Sequence, residues 1–382
     1  MSLTHSPKIV TDGLVFAYDI ANTKKSWKGQ PTTNLYADGD FSSGSTHPVN
    51  GGGAVVVDPT NPLRKVIKFS PSGGNQYHGR DIPAVISTVY SLQMEVYVSP
   101  NFDGTNVMMY PEQGGAGAGV SYNLSKKGTW QTLKFNGKAA TTTNIRMLAY
   151  VLSSFTTGYV LATNIQVEQN AFCTPFINGT RSAAQALVDL TGKNTVTANN
   201  ITYNSNGSFE FNGSSSLFTV PDSDNFSFPS QVFAFDYWVY FNNTASLNGI
   251  IGKGEGSWEY AIYANGTNGL VFYSWPVSGA GAVYTPPLST TFAAGQWYHH
   301  CWTANGANSY LYVNGVLSGT NAKGASYSMG NGTSRLTIGA AGDAGGLKYL
   351  NGKLENVKIY NRYLSPDEVK QNFNALRLRY GL

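Results

Sequence analysis

Charge is scarce in this chain of 382 residues, and its scarcity excludes several functions. Asp, Glu, Lys and Arg make up 12% of the residues, and the net charge of +4 is spread along the chain without runs. Proteins whose main task is to bind nucleic acid or anionic membranes carry clustered basic residues. We therefore expect neither a nucleic acid nor a membrane as a partner.

Long apolar segments are also missing. No stretch reaches the ~20 apolar residues of a membrane-spanning helix. The opening residues, MSLTHSPKIVTDG, lack the apolar core of a secretory signal. These absences predict a protein that is made and folded in a cytoplasm, and that reaches the outside of a cell only by another route, such as release with a virion.

Cysteines and catalytic motifs are few. Cys173 and Cys301 each lie in an apolar run, which predicts buried free thiols, with a disulfide between them as the alternative. The chain has no H-E-x-x-H, no G-x-S-x-G and no phosphate loop. Glu255 and Glu259, the nearest carboxylate pair, would lie about 13 Å apart on an extended strand, whereas a retaining glycosidase needs roughly 5.5 Å. The sequence thus predicts that the protein is not an enzyme.

Glycine, aromatic residues and Asn-Gly pairs are abundant instead. The chain has 43 glycines, and 13% of its residues are aromatic. Asn-Gly accepts positive φ at both central positions of a tight turn, so it closes hairpins between twisted strands. The clearest example is Asn314-Gly315, after a run in which Leu311 and Val313 alternate with tyrosines. This composition predicts an all-β fold of antiparallel sandwiches.

Four blocks in the second half of the chain resemble the laminin-G-like, concanavalin A-like lectin fold, in the form found in phage structural proteins. The blocks are FEFNG (209–213), IIGKG (250–254), WYHHCW with LYVNG (297–315) and GKLENVKIYNRYLS (352–365). The resemblance implies a jelly roll that serves as a lectin, a glycosidase or a structural spacer.

The first strand of the same domain stands far from the rest. GLVFAYD (13–19) resembles that first strand, but the segment expected soon afterwards, LVDLTGKN (187–194), follows only after residue 186. We infer that residues 1–30 are an N-terminal arm and the first strand, residues 31–180 are an inserted domain, and residues 181–382 complete the laminin-G-like domain. Two domains in simple tandem are the alternative.

The insert resembles the jelly roll of carbohydrate-binding modules. The matching blocks are TNLYADGDF (33–41), GTWQTLKF (128–135) and YVLATNIQVEQ (159–169). The segment that follows, FCTPFINGTRS (172–182), resembles a linker of phage tail and capsid-surface proteins.

A helix is expected near the end of the chain. Ser365 and Glu368 form a capping box with proline between them, and Val369, Phe373 and Leu376 then repeat at helical spacing. The last residues, RLRYGL, either anchor a partner chain or fray.

Loop aromatics are the candidate carbohydrate-binding residues, because sugar rings present C–H faces that pack on Trp and Tyr. Trp275, in a turn before proline, is the strongest candidate, and Tyr77 to Arg80 in the insert form a second polar-aromatic loop. The expected carbohydrate platform consists of Trp258, Tyr260, Tyr273, Trp275 and Tyr284.

A structural calcium ion is a further expectation, because jelly rolls resembling this one often hold one. Calcium takes carboxylate and carbonyl oxygens as ligands. The candidate metal ligands are Asp222, Asp224 and Glu355, the last standing where the related strand has Asp.

These observations lead to three hypotheses. The first is a phage virion structural protein, of the tail-fibre, head-fibre or capsid-decoration type, that displays lectin-like domains. Its partners would be other virion proteins, copies of itself in a homo-oligomer, and cell-surface glycans bound weakly. The second is a free carbohydrate-binding lectin, and the third is an atypical glycoside hydrolase.

Overall fold

A computed structural model of the chain describes most of its residues. The described residues are 8–43, 49–50, 53–112, 118–204, 208–255, 259–265, 269–275, 282–284, 292–322, 328–343 and 346–382. They form two compact units. Unit 1 comprises residues 1–29 and 183–382, and unit 2 comprises residues 30–182.

Strands dominate both units, as the all-β prediction requires. In chain order the first thirteen are β1 Leu14–Tyr18, β2 Thr32–Thr33, β3 Val49–Asn50, β4 Ala54–Asp58, β5 Asn61–Phe69, β6 Gln76–Pro83, β7 Val89–Val98, β8 Val107–Glu112, β9 Val120–Ser121, β10 Trp130–Ala139, β11 Asn144–Val151, β12 Val160–Glu168 and β13 Thr180–Arg181. The others are β14 Thr197–Asn199, β15 Thr202–Tyr203, β16 Phe209–Asn212, β17 Leu217–Val220, β18 Val232–Phe241, β19 Asn248–Lys253, β20 Tyr260–Asn265, β21 Gly269–Ser274, β22 Ala282–Tyr284, β23 Trp297–Asn305, β24 Asn308–Val313, β25 Val316–Ala322, β26 Leu336–Ile338, β27 Ala340–Asp343, β28 Gly346–Tyr349 and β29 Asn351–Tyr360.

Helices are short and few among the described residues. They are α1 Ala183–Ala186, α2 Pro366–Leu376 and 3₁₀ turns at Leu124–Lys126, Asp224–Phe226 and Arg377–Tyr380. Within this part of the chain, no helix has the length and apolar character needed to cross a membrane. The helix expected near the end of the chain is confirmed as α2, and both hydrogen bonds of the capping box between Ser365 and Glu368 are present.

Unit 1 is a sandwich of two antiparallel sheets. One has the order β15-β16-β29-β18-β23-β24-β25, with β1 also paired to β29, and the other has the order β14-β17-β26-β19-β20-β21-β22. Strand β18 shows why they pack face to face, because every second residue is apolar or aromatic and turned to the core, namely Phe233, Phe235, Tyr237, Val239 and Phe241. Phe233 of β18 stacks on Phe272 of the opposite sheet with ring centroids 5.2 Å apart.

The expected hairpin turn at Asn314-Gly315 is confirmed. Strands β24 and β25 pair from Val313 to Val316, and both turn residues have positive φ, 51° and 75°. Two positive φ angles match the right-handed twist of the flanking strands, which explains why the Asn-Gly pair predicted this turn.

Strand β1 precedes the inserted segment in the sequence but belongs to unit 1. It pairs antiparallel with β29, and Tyr18 lies opposite Val357. The 1% exposed carboxylate of Asp189 accepts a hydrogen bond from the backbone N–H of Ala17 at 3.0 Å and others from Thr191 and Asn194. The segment 187–194 is therefore tied to β1 across 172 residues.

The outer face of the β18 sheet carries a buried polar network. The Asp236 carboxylate accepts from Lys358 Nζ at 2.7 Å and from Asn372 Nδ2 at 3.0 Å, and it lies 3.1 Å from His299 Nε2. All four side chains are at most 1% exposed, because α2 covers this face. Burial raises the pKa of Asp236, but the charges of Lys358 and His299 outweigh it and hold that pKa well below its usual range.

His300 points the other way, into the core between the sheets. It lies among the rings of Phe292, Tyr298 and Tyr237. Burial lowers its pKa to about 3, so the ring stays neutral. The two adjacent histidines are thus structural, and Cys301 beside them is a buried free thiol, whereas Cys173 is a partly buried one.

Unit 2 is a second sandwich, with sheets of order β10-β7-β12-β5-β4 and β3-β6-β11-β8-β9. The first and last blocks of the insert meet at Asn34, whose side chain donates to Ile165 and accepts from Val167. The ends of the unit also pair with each other through β2 and β13.

The linker-like segment after β12 has a structural role in unit 2. The buried Glu168 carboxylate accepts from the Thr174 backbone N–H at 2.6 Å and from the Thr32 hydroxyl at 2.8 Å. The 3% exposed Arg181 donates to the carbonyls of Pro175 at 2.7 Å and Gln30 at 3.1 Å. The Thr-Pro-Phe and Thr-Arg-Ser ends of the segment therefore fasten the first and last residues of unit 2 together.

Replacing Asp236 with Ala tests the buried network. Removing one partner of a buried ion pair leaves the charge of Lys358 uncompensated, and we expect a loss of about 3–5 kcal/mol in the free energy of unfolding. The measurement is equilibrium denaturation. Asp12→Ala is the control, because the Asp12 side chain is 86% exposed in its pair with Arg362 and such a pair contributes about 0–1 kcal/mol. Equal losses in the two variants would contradict the assignment.

Candidate functional site

The structure describes the side chains of three of the five aromatic residues of the expected carbohydrate platform, and it separates Tyr260 from Tyr273 and Trp275. Trp258 lies outside the described residues, and Tyr284 is described only as a position of β22. Tyr260 is 0% exposed and packs on Phe235 with ring centroids 5.1 Å apart, inside the sandwich core. The prediction that Tyr260 belongs to the platform was wrong. Tyr260 is the first residue of strand β20, and its side chain faces the core and not a loop surface.

Trp275 and Tyr273 lie together on the outer face of the β20–β21 sheet. Their rings stack at 6.0 Å, and Trp275 is only 9% exposed. It packs in a small apolar cluster with Tyr263 and Ala341 of the β27–β28 hairpin. Most of the indole surface that a sugar would use is therefore occupied, although Tyr273 remains half-buried.

The three candidate calcium ligands are not gathered around one point. Asp222 pairs with Lys253 Nζ at 2.8 Å. Asp224 is exposed in a 3₁₀ turn, and Glu355 lies on β29 in the other sheet, beside Tyr380. In the described ranges, no three His, Cys, Asp or Glu side chains are grouped to hold a metal ion. The expected ligand set is thus corrected, since an ammonium group supplies the positive charge beside Asp222.

The two candidate catalytic carboxylates also have other partners. Glu259 is 0% exposed, pairs with the buried Lys253 and accepts from the Gly332 N–H at 2.8 Å. Burial raises the pKa of Glu259 above its usual range. Glu255 forms a surface ion pair with Arg335 at 2.8 Å. Neither arrangement offers a substrate an approach between two carboxyl groups.

Unit 2 carries an open cleft on the outer face of the sheet β3-β6-β11-β8-β9. Its volume is about 530 Å³, within the ~300–1,000 Å³ range of small-molecule sites. The lining residues are Tyr77, Met108, Tyr110, Glu112, Gly119, Arg146, Leu148, Tyr150 and Leu152.

Strand register builds the cleft in three rows across β6, β11 and β8. One row is Tyr77, Tyr150 and Met108, and the next is Gly79, Leu148 and Tyr110. The third row is Asp81, Arg146 and Glu112. Alternate residues of each strand share a face, so these side chains point outward while Met147 and Met109 enter the core.

The aromatic part of the cleft consists of three half-buried tyrosines. Tyr150 lies between the other two, with ring centroids 5.9 Å from Tyr77 and 6.3 Å from Tyr110. Gly79 leaves room for the Leu148 side chain between the strands, because a Cβ at residue 79 would lie 2.2 Å from Leu148 Cδ2. The result is a cluster of three phenol rings beside the apolar side chain of Leu148.

The polar end of the cleft is an ion triad. Arg146 Nε donates to Asp81 Oδ1 at 2.7 Å, and Arg146 Nη1 lies 3.4 Å from Glu112 Oε2. The hydrogen bond from Arg146 lowers the pKa of Asp81, so that carboxyl stays ionised. Two carboxylates and one guanidinium leave this end with a net negative charge and several hydrogen-bonding atoms that solvent reaches.

Sequence reasoning found only one edge of this cleft. It named Tyr77 to Arg80 as a loop, whereas these residues belong to β6 and His78 is buried beneath Tyr36. Tyr110 and Tyr150 were missed. The signal that could have found them is the alternation of side chains along a strand. In MLAYV and VMMYPE the tyrosine follows a core residue, so it must point to the outer face.

Comparison with known proteins identifies part of unit 1. Residues 212–370 match the family model Laminin_G_3, described as the concanavalin A-like lectin/glucanases superfamily. This part of the chain has the concanavalin A-like lectin fold, and we call it the lectin domain. The lectin domain accounts for most of unit 1, and the predicted fold class is confirmed.

Solved structures similar to the chain include bacterial toxin domains. The binding domain of Paraclostridial Mosquitocidal Protein 1 is 16% identical, with a TM-score of 0.41, over 50% of this chain and 49% of that one. The botulinum neurotoxin serotype G binding domain is 16% identical, with a TM-score of 0.38, over 50% and 48%. The binding domain of botulinum neurotoxin DC in complex with SialylT is 18% identical, with a TM-score of 0.40, over 50% and 49%. The chain thus spans about half the length of each, and no curated protein matches it.

The ion pairs of Lys253 with Asp222 and Glu259 lead to a test of whether the protein needs a metal ion at Asp222. Because the Lys253 ammonium group already forms ion pairs with Asp222 and Glu259, we expect a chelator to leave the melting temperature of the lectin domain unchanged. Lys253→Met should lower the free energy of unfolding by about 3–5 kcal/mol, since it leaves Glu259 buried without its cation. Differential scanning calorimetry with and without chelator checks both points, and a chelator-induced fall in melting temperature that Asp222→Asn abolishes would contradict them.

Proposed function

We propose that this chain is a non-catalytic glycan-recognition protein whose unit 2 cleft binds the sugar. The observation that carries the proposal is the cluster of three tyrosines, Tyr77, Tyr110 and Tyr150, beside the ion triad. Sugar rings place C–H faces on aromatic rings and hydroxyl groups on nearby charged donors and acceptors. The cleft offers both kinds of contact within one solvent-open surface.

The charge of the cleft favours a neutral ligand. Arg146 is bound by Asp81 and Glu112, so its guanidinium is not free to pair with an anionic sugar. The two carboxylates accept hydrogen bonds from hydroxyl groups and repel carboxylated or sulfated chains. We therefore assign the site to neutral oligosaccharides.

The same residues support a binding function over a catalytic one. A glycosidase needs a carboxylic acid that keeps its proton near neutral pH. Asp81 has a lowered pKa, and the buried Glu259 is enclosed by Lys253 and Gly332. Asp81, which pairs with Arg146 beside the cleft, is thus unsuited to donate a proton.

A virion setting is the second part of the proposal. The blocks of the lectin domain resemble phage structural proteins, and so does the segment 172–182. Display of many copies suits weak glycan binding, because linked sites raise the effective affinity without new contacts. We accordingly propose a homo-oligomer on a virion surface or tail, with other virion proteins as partners. Mass spectrometry of purified particles tests this part, and a chain found free and absent from particles would contradict it.

Removing the central ring tests the cleft itself. Tyr150→Ala takes away the tyrosine that contacts both others, and we expect at least a tenfold loss of affinity for neutral oligosaccharides, about 1.4 kcal/mol. A glycan array identifies the ligand, and isothermal titration calorimetry measures its affinity.

The matched control is Tyr159→Ala. Tyr159 is also a half-buried tyrosine of unit 2, stacked on Tyr97 at 6.0 Å, but it lies against the other sheet. The control should bind as the native protein does. Binding that survives Tyr150→Ala and is lost in Tyr159→Ala would place the site elsewhere.

Charge reversal tests the ligand class. The double variant Asp81→Asn, Glu112→Gln frees Arg146 and changes the net charge of the cleft from negative to positive. We expect the native cleft to reject sialylated and sulfated glycans and the variant to gain affinity for them, with a gain that salt reduces. Tight binding of anionic glycans by the native protein would overturn the assignment.

A further inference from the structure

Residues 377–382 lie over two tryptophans on the outer face of the β18 sheet. The ring of Tyr380 stacks on Trp238 at 4.1 Å and 15°, and it contacts Trp297 at 4.7 Å. Tyr380 is 8% exposed. The segment therefore covers an aromatic surface through one inserted ring.

Glu355 lies beside that ring. It stands opposite Trp238 in the pairing of β18 with β29, and the Tyr380 side chain acts directly on its carboxyl group. The titratable and charged groups that face it from the surrounding elements are Tyr18 of β1, Asp19 after β1, Lys353 of β29, and Arg379 and Tyr380 of the segment itself.

Burial raises the pKa of Glu355 to about 7, against the opposing effects of Tyr380, Lys353 and Arg379. The covered state thus prefers the protonated carboxyl. Its stability is highest below the ordinary pKa of a glutamate, falls as the pH rises from there to about 7, and stays low above it. An acid with a raised pKa destabilises its surroundings when it ionises.

The rest of the terminal region is anchored separately. Helix α2 is held by its capping box and by Asn372, which is 0% exposed, donates to Asp236 and accepts from the Val10 N–H at 2.8 Å. Residues 377–382 have one ion pair to the sheet side, between Arg379 and Asp19 at 2.7 Å, and Leu378 is 79% exposed. The segment can therefore leave without unfolding the helix.

We propose that residues 377–382 form a releasable strap, which covers Trp238 and Trp297 while Glu355 holds its proton and loosens when Glu355 ionises. Release uncovers the parts of Trp238 and Trp297 that Tyr380 contacts, beside Tyr240, whose ring lies 5.5 Å from Trp297, whereas Phe373 of α2 still packs on Trp238. The aromatic surface of the lectin domain is thus closed in acid and open at neutral and alkaline pH. This device is independent of the glycan cleft in unit 2.

Hydrogen–deuterium exchange of the full chain tests the strap at about pH 5 and about pH 8, with rates corrected for their intrinsic pH dependence. We expect the amides of 379–382 to lose protection at the higher pH, by at most about 300-fold, which corresponds to the pKa difference between 4.5 and about 7. The amides of α2 should keep theirs. Acrylamide should quench tryptophan fluorescence more strongly at the higher pH.

Three variants separate the strap from a general pH effect. Glu355→Gln should stay protected at both pH values, and Tyr380→Ala should be unprotected at both. Glu210→Gln is the matched control, because Glu210 pairs with the same Lys353 at 3.2 Å but has no contact with the strap, and it should behave as the native chain. Protection that is the same at both pH values in the native chain, or a pH dependence that survives Glu355→Gln, would overturn the proposal.

Discussion

The pairing of β1 with β29 is the constraint on which the rest of unit 1 depends. It brings Leu14 opposite Tyr360, so the first and last strands of the lectin domain lie side by side. Asp189 then fastens the segment after the insert to β1. Within unit 2, β2 pairs with β13, so its own ends lie together. An insertion between adjacent points adds little loop-closure entropy, which is why a whole domain can be accommodated there.

Buried charge is the second organising principle. Asp236 with Lys358 on one sheet, and Glu259 with Lys253 on the other, each place a carboxylate and an ammonium group where water does not reach. Such pairs contribute less to stability than their attraction suggests, but removing one partner is costly. Several carboxylates that resemble ligands or catalysts in the sequence thus serve to place a strand or a helix.

A ligand can reach only those sheet faces that no other element of the chain covers. In unit 2 the outward residues of β6, β11 and β8 form the cleft that we propose as the glycan site, whereas in the lectin domain α2 and the strap cover the outer face of one sheet. The two units therefore differ in access: Tyr150 meets solvent directly, and Trp238 meets it only when Tyr380 moves away. With both proposals, unit 2 presents a constant surface and the lectin domain presents one that depends on pH.

Local signals in the sequence determined the turn at Asn314-Gly315, the cap at Ser365 and the all-β class, because these depend on residues within a few positions of each other. Only the tertiary structure decided that Tyr260 is core, that Lys253 neutralises Asp222, and that Tyr77, Tyr110 and Tyr150 share a cleft. Each of these facts depends on which strands become neighbours and in what register. A shift of one residue would turn every side chain of a strand to the opposite face, and the sequence of a single strand does not reveal its partner.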